Sequence, residues 1–296
     1  MNSLNTKAIV LLQSEFEDWT TARENFENLK NVEIKSLNFE GFSVEVHLNQ
    51  SRLRSAAAKL DTLSIRECQC FLCAKNRPIG QRSVDCSHFE LLVNPYPIFP
   101  QHFTIASKQH EPQKIDGYFS DFLNFTKNLS DFVVFFNAAG CGASAPDHLH
   151  FQAGTKNFLP VINDYKNLKQ KNAKLIFSTN NYEIFLLNNY LRKVYCIETS
   201  REESANQAFD FMKNKKMFDT NKINIVAVFE SGNFQIFIFP RRAFRPQQFF
   251  AENESERLLI SPGSVEMSGI LITPIAAHFN KITKNDVISI YEQVGC

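Results

Sequence analysis

Residues 137–154 read NAAGCGASAPDHLHFQAG, and this stretch indicates both the fold and the site. Small residues fill its first half, where large side chains would keep a ligand away from the backbone. From His148 onward polar and apolar residues alternate, which predicts a β-strand with its apolar face in a core. His148, His150 and Gln152 then share the other face, about 6–7 Å apart, which is two residue rises. Two imidazoles and an amide therefore face one space, as in a binding or catalytic site.

Several readings of these polar residues are open. Histidine on a strand is commonly a core residue whose polar atoms have found hydrogen-bond partners. Both histidines can instead bind a metal ion, although Asp147 is the only carboxylate beside them. In a third reading one histidine is a nucleophile, because a neutral imidazole can attack phosphorus near pH 7. Gln152 and Ser144 would then donate hydrogen bonds to phosphate oxygens, which suits nucleotidyl transfer better than hydrolysis.

The composition is that of a globular protein. Hydrophobic residues make up 44% of the 296 residues and charged residues 21%, and the net charge is +1. Without a block of like charges, we expect neither nucleic acid nor a membrane surface as a partner. No apolar run approaches the roughly 20 residues of a membrane helix, and the N-terminal run is too short for a signal peptide. Seven cysteines, an odd number, argue against a disulfide framework. We therefore expect a cytoplasmic protein with reduced thiols.

The remaining pattern predicts an α+β fold with a largely antiparallel sheet and flanking helices. Apolar residues at helical spacing predict helices over residues 14–29 and 112–129 and from Thr283. Alternation predicts strands over residues 89–93 and 102–107, with a turn at Asn94 between them.

The second half of the chain repeats the order of elements without the histidines. We therefore predict an internal duplication, with residues 1–165 carrying the site and residues 166–296 forming a degenerate copy. No Gly/Pro/Ser-rich linker separates the two halves, so we expect them to pack as one unit.

Cys70 and Cys73 have C-x-x-C spacing. Thiolates at this spacing can occupy adjacent corners of a tetrahedral zinc site. The pair can also be redox-active, or two buried cysteines without a chemical role. No second C-x-x-C is present, so further zinc ligands would be histidines, for which His110 and His148 are candidates.

A basic segment precedes this pair. Arg52 and Arg54 can hold phosphate, because a guanidinium fork matches two phosphate oxygens. The alternative is that both side chains lie on the solvated start of a helix.

The motif His148-Leu-His-Phe-Gln152 resembles the His-x-His-x-Gln motif of the transferase branch of the histidine-triad (HIT) superfamily, whose hydrolases carry a third histidine instead of glutamine. Cys70-Phe-Leu-Cys73 resembles the zinc-binding pair of galactose-1-phosphate uridylyltransferases. The GDP-hexose phosphorylases resemble the chain over more motifs. Their NHLHFQAY, PQRID and PAVWEISGH are similar to residues 147–153, 112–116 and 262–269. Diadenosine tetraphosphate phosphorylases share the outline less closely.

This resemblance implies a HIT-like fold with two HIT-like halves, and nucleotidyl transfer through His150. His150 would attack the α-phosphorus of a nucleoside diphosphate sugar, with Gln152 and Ser144 on the phosphate oxygens. Inorganic phosphate or a sugar phosphate would then accept the nucleotidyl group. The implied nucleotide contacts are Asn94, Arg52, Arg54, Asn137 and Gly142. The implied zinc ligands are Cys70, Cys73, His110 and His148, a closed set that makes zinc structural. Related transferases are commonly dimers, so a homodimer is also implied.

Other functions remain open on the sequence. A diadenosine polyphosphate phosphorylase or a sugar-1-phosphate uridylyltransferase would use the same chemistry on another substrate, and no motif specifies the base or the sugar. A non-catalytic nucleotide-sugar binding protein would keep the pocket without turnover. Such a protein has no need of a nucleophile, so an intact His150 and Gln152 favour an enzyme.

Overall fold

The computed structural model describes residues 3–52 and 69–296. The helices in these ranges are α1 (Leu4–Asp18), α2 (Thr20–Asn28), α3 (Phe119–Asn128), α4 (Pro160–Asn172), α5 (Glu202–Asn214), α6 (Gln247–Phe250), α7 (Ser264–Met267), α8 (Ala276–Lys281) and α9 (Lys284–Val294). The strands are β1 (Glu33–Phe39), β2 (Phe42–Leu48), β3 (Ser83–Cys86), β4 (Phe89–Val93), β5 (His102–Ser107), β6 (Phe132–Asn137), β7 (His150–Thr155), β8 (Ala173–Ser178), β9 (Glu183–Leu187), β10 (Val194–Thr199), β11 (Ile223–Glu230), β12 (Asn233–Pro240) and β13 (Ile270–Thr273).

Two sheets organise the described residues. The larger has ten strands in the order β3-β4-β5-β7-β6-β11-β12-β10-β9-β8, and all its neighbouring pairs are antiparallel. The smaller has the order β1-β2-β13, and β13 runs parallel to β2. The predicted α+β class with a large antiparallel sheet and flanking helices is confirmed.

The ten-stranded sheet is built from two copies of one topology. Read inward from its edges, the order is β3-β4-β5-β7-β6 on one side and β8-β9-β10-β12-β11 on the other. A helix follows the third strand of each copy, α3 in the first and α5 in the second. The innermost strands β6 and β11 pair, so a single sheet joins both copies. The boundary at residues 165/166 stays a prediction, and α4 runs across it.

The strand β7 separates a core face from the site face, as its alternation predicts. Leu149, Phe151 and Ala153 belong to the core cluster that includes residues of α1, α3 and α5. Gln152 lies opposite Phe135 of β6, which belongs to a second cluster with β2, β13, α4 and α9. On β12, which occupies the place of β7 in the second copy, this second cluster takes in Phe237 and Phe239. Phenylalanine thus occupies a face that carries histidines in the first copy.

Two predicted helices differ from the structure. The helix predicted over residues 14–29 is interrupted at Trp19, whose backbone (φ −110°, ψ 87°) is not helical, so α1 and α2 are separate. The helix predicted from residue 112 begins only at Phe119. The residues before it, including Gln113, form an irregular segment because their polar groups bind the strands instead.

Two further observations concern the described residues. Within them, no helix is both long enough and apolar enough to cross a bilayer. The cysteines in these ranges have free thiols: Cys70, Cys73, Cys86, Cys141, Cys196 and Cys296.

Candidate functional site

His150 is the first residue of β7 and has a defined tautomer. Its Nδ1 lies 2.8 Å from the backbone oxygen of His148. A carbonyl oxygen only accepts, so Nδ1 carries the proton and donates it, which leaves a lone pair on Nε2. Nε2 is buried and has no hydrogen-bond partner among the described residues. Burial lowers the pKa of His150 to about 4, so the ring is neutral near pH 7.

Gln152 is oriented by a histidine that the sequence analysis did not single out. The backbone N–H of Ile98 donates to Nδ1 of His102 at 3.1 Å, so the His102 proton is on Nε2. This Nε2 then donates to Oε1 of Gln152 at 3.0 Å. The amide NH2 of Gln152 is thereby left as the end that can donate to a ligand. A sequence signal existed, since His102 and Thr104 alternate with apolar residues on β5.

Arg52 and Asn94 meet at the turn after β4. Nη1 of Arg52 donates to the backbone oxygen of Tyr96 at 2.8 Å. Asn94 accepts from the Tyr96 N–H through Oδ1 at 3.0 Å and donates to the hydroxyl of Thr104 at 3.3 Å. Thr104 is the register partner of Gln152, so both predicted nucleotide contacts lie beside the site. Arg54 lies outside the described residues.

Asn137, at the end of β6, ties the site to the second half of the chain. Its Oδ1 accepts hydrogen bonds from Nδ2 of Asn224 and from the backbone N–H and hydroxyl of Ser264, each at 2.7 Å. With Oδ1 engaged in this way, a contact to a nucleotide would come from the amide NH2. That contact stays a prediction.

Gly142 allows two loops to approach each other closely. It has φ +94°, and a Cβ placed there would lie 2.7 Å from the Cα of Gly263. Both the positive φ and the contact therefore require glycine. Ser144 is exposed two residues later in the same loop, between β6 and β7. A role for Gly142 or Ser144 in ligand binding stays a prediction.

Cys70, Cys73, His110 and His148 form one cluster, as predicted from the C-x-x-C pair and the histidines. Their ligand atoms all lie within 4.8 Å of one another. Nδ1 of His148 is 3.2 Å from Sγ of Cys70, and Nδ1 of His110 is 3.2 Å from Sγ of Cys73. Two sulfur and two nitrogen atoms are a donor set of structural metal sites, and these four lie close enough together to bind one ion.

The ring nitrogens that face away from the cluster have acceptors. Nε2 of His148 donates to the backbone oxygen of Ser107 at 2.8 Å, and Nε2 of His110 lies 3.4 Å from a carboxylate oxygen of Asp147. Because these acceptors hold the Nε2 protons, both Nδ1 lone pairs would point at the ion in the metal-bound form, as is usual for metal-binding histidines. The residues present therefore fit a metal ion.

The Cys70 thiol is also prepared for metal binding. Burial would raise its pKa, but hydrogen bonds to the thiolate from a protonated His148 ring, before a metal binds, and from the backbone N–H groups of Leu72 and Cys73 lower it to about 6. Thiolate is the form that binds metal, so this shift favours metal binding at neutral pH.

The pH dependence of the free energy of unfolding tests the buried, neutral state of His102. Burial, and then the charge of Arg52, lowers its pKa to about 3. Its stabilising contribution is thus fully present above the unfolded pKa of about 6.5 and is lost as the pH falls toward 3. Between pH 7 and pH 5 we expect the free energy of unfolding to fall by about 2 kcal/mol more in wild type than in His102→Gln, which cannot titrate.

Urea denaturation at both pH values measures this difference. His88→Gln, at an exposed histidine, is the matched control and should keep the wild-type fall. Equal falls in wild type and His102→Gln would contradict a neutral, buried His102.

Comparison with solved structures identifies the fold. The crystal structure of yeast Ap4A phosphorylase Apa2 matches with a TM-score of 0.62 and 14% identity, covering 93% of this chain and 96% of that chain. The same enzyme in complex with Ap4A matches with a TM-score of 0.60 and 14% identity over the same shares. In complex with AMP it matches with a TM-score of 0.56 and 15% identity, over 92% and 93%. The predicted HIT-like fold is thereby confirmed.

Sequence comparison is less informative. Residues 11–155 match the model of a family described as a domain of unknown function, DUF4922. No curated protein matches the chain.

Proposed function

We propose that this chain is a nucleotidyltransferase of the phosphorylase type that works through a nucleotidyl-histidine at His150. One observation carries this proposal: a buried imidazole whose Nδ1 proton is held by the His148 carbonyl and whose Nε2 has no partner among the described residues. A ring held only for packing would be expected to have both nitrogens satisfied, since buried polar atoms almost always are.

The proposed reaction has two displacement steps. The Nε2 lone pair of His150 attacks the α-phosphorus of the substrate, and an N–P bond forms as the bond to the leaving phosphate oxygen breaks. The bonding electrons leave with the sugar phosphate. An oxygen of inorganic phosphate, or of a sugar phosphate, then attacks the same phosphorus, and the N–P bond breaks to restore neutral His150. Throughout, the Nδ1 proton stays between His150 and the His148 carbonyl, which stabilises the charge on the nucleotidylated ring.

The neighbouring side chains have supporting roles in this proposal. The Gln152 amide, turned by His102, donates to the phosphate oxygens in the transition state. Ser144 adds a donor from the loop before β7. Arg52 and Asn94 bind the nucleotide from the turn after β4, together with Arg54. The peptide groups at Gly142 and the NH2 of Asn137 complete the contacts from the other side.

Zinc is the metal that this proposal assigns to the cluster of Cys70, Cys73, His110 and His148. Two thiolates and two imidazoles are a preferred zinc donor set, and four protein ligands leave no position for a reacting water. The ion would attach residues 70–73 to His148, just before the start of β7. We assign it a structural role.

The substrate we favour is a nucleoside diphosphate sugar, and among these a GDP-hexose. This choice rests on the similarity of residues 147–153 and 262–269 to motifs of GDP-hexose phosphorylases. A diadenosine polyphosphate is the second candidate. The fold match to yeast Ap4A phosphorylase over 93% of this chain favours it.

The proposal also covers the roles of the two halves of the chain and the oligomeric state. Residues 1–165 carry the reacting groups, and residues 166–296 support them through contacts such as that of Ser264 with Asn137. We also propose a homodimer, which size-exclusion chromatography with light scattering would test.

Product analysis with four substrates tests the proposed function. Purified protein is incubated with GDP-mannose, GDP-glucose, UDP-glucose or diadenosine tetraphosphate, with and without inorganic phosphate, and the intact protein is weighed. We expect a nucleotidyl adduct and, only with phosphate, a free nucleoside diphosphate. An adduct that inorganic phosphate does not discharge, but that an added sugar phosphate does, would indicate a uridylyltransferase-type reaction. Binding without adduct or product would indicate a nucleotide-sugar binding protein and would refute the phosphorylase.

A further inference from the structure

The strands β6 and β7 separate at the catalytic histidine. Their ladder runs from Phe132 opposite Thr155 to Phe135 opposite Gln152. Continued in the same register, it would join Phe136 to Phe151 and then Asn137 to His150. Neither of these two pairs is present, although β6 remains paired with β11 on its other side through Asn137 and Asn224, and β7 remains paired with β5 through His150 and Ala106. The backbone groups of Asn137 and His150 therefore do not hydrogen bond to each other.

The side chain of Gln113 fills the gap. Its Oε1 accepts the backbone N–H of His150 at 2.7 Å, and its NH2 donates to the backbone oxygen of His150 at 3.0 Å. The same NH2 donates to the backbone oxygen of Asn137 at 2.8 Å. One primary amide therefore replaces the missing strand pairing, and it is only 3% exposed.

The segment that carries Gln113 is itself fixed to the start of β7. The backbone oxygen of Glu111 accepts the N–H of Leu149 at 2.7 Å, and His110 belongs to the Cys/His cluster. Gln113 thus belongs to a segment that Glu111 attaches to the residue before β7 and that also carries His110 of the cluster. A shift of the Gln113 amide would move the backbone of His150, because two of its hydrogen bonds go to the His150 backbone. The third goes to the backbone oxygen of Asn137.

We propose that Gln113 is a positioning residue for nucleotidyl transfer, which fixes His150 and the Asn137 end of the site loop at the separation the reaction needs. This inference rests on the proposed function. The His150 ring hydrogen bonds to the carbonyl of His148 two residues away, so the tautomer of His150 depends on a backbone that Gln113 holds. Gln113 does not need to touch the substrate for this role.

Two substitutions test the role of Gln113. Gln113→Met keeps the chain length and removes all three hydrogen bonds, and Gln113→Glu keeps the shape but loses the two donated bonds. Lys114→Ala, at an exposed neighbour, is the matched control. At saturating substrate we expect both Gln113 variants to form the nucleotidyl adduct at least about tenfold more slowly, because small displacements of a reacting group are costly. The dissociation constant of the nucleotide should change by less than about threefold, because Asn137 is only one of several proposed nucleotide contacts, whereas the reaction depends on His150 alone as nucleophile.

A second readout does not depend on turnover. Nitrogen-15 NMR of the histidine rings reports which nitrogen of His150 is protonated. We expect the Nδ1-protonated form in wild type and in Lys114→Ala, and a mixture of tautomers in the Gln113 variants. If wild type forms no adduct but its spectrum differs in this way from those of the Gln113 variants, the proposed function fails. The inference that Gln113 positions the His150 ring then stands. A folded Gln113 variant with wild-type spectra and a wild-type adduct rate would overturn the inference, and the Glu variant serves this purpose if the Met variant does not fold.

Discussion

Replacement of His150 by asparagine is expected to eliminate the nucleotidyl adduct and to lower turnover by at least about a thousandfold. Asparagine offers no nitrogen lone pair that can attack phosphorus, whereas Nε2 of His150 has one that is not used by any described neighbour. The Nδ1 hydrogen bond to His148 is the main polar contact of the ring, so the variant should still fold. Intact-protein mass spectrometry and product analysis on the substrate panel measure both effects.

The matched control for this variant is His47→Asn. His47 is also buried, but its ring is paired with the Glu45 carboxylate on β2 at 2.7 Å rather than with a residue of the proposed site. We expect this control to keep the adduct. Persistence of the adduct in His150→Asn, with mass mapping to another residue, would remove the mechanism.

Removal of the proposed zinc ion is expected to have the largest effect on stability. Structural zinc contributes about 10–16 kcal/mol in zinc-finger peptides, and even a fraction of this would be large beside the net stability of a domain. We expect a chelator, or Cys73→Ser, to remove one equivalent of zinc and lower the melting temperature by about 10 °C or more. Metal analysis and thermal denaturation provide the two measurements.

A control variant and an assay of adduct formation distinguish a structural role of the metal from a role in the reaction. Cys86→Ser is the matched control, since Cys86 is a half-buried free thiol outside the cluster. At a temperature where the chelated protein is still folded, we expect adduct formation to persist, because no step of the proposed reaction uses the ion. A purified protein that contains no zinc and melts at the same temperature with and without chelator would refute the metal assignment.

The sequence by itself determined the features that depend on neighbours along the chain. Period-two alternation predicted that His148, His150 and Gln152 share one face of a strand. The strand β7 has this alternation for His150 and Gln152, but it begins only at His150, and His148 lies in the bend before it. The turn at Asn94 followed from its prolines and its flanking strands. The fold class could be predicted for the same reason, since the order of strands and helices is a local property repeated in each half.

Local periodicity was less reliable where tertiary contacts compete with it. Residues 112–118 have the apolar spacing of a helix, yet Gln113 lies between two strands and α3 begins at Phe119. Three buried hydrogen bonds from the Gln113 amide outweigh a helical turn whose propensity is worth only fractions of a kcal/mol per residue. Propensity cannot register that competition, because the partner groups come from distant strands.

Only the tertiary structure decided which groups complete the site. His102 became the partner of Gln152, and Gln113 the partner of His150, through hydrogen bonds between residues 50 and 37 positions apart. Gly142 is required because the backbone of Gly263 comes against it from the other half of the chain. Side-chain hydrogen bonds and close backbone contacts of this kind have no sequence period, since they depend on how the strands and loops pack in three dimensions.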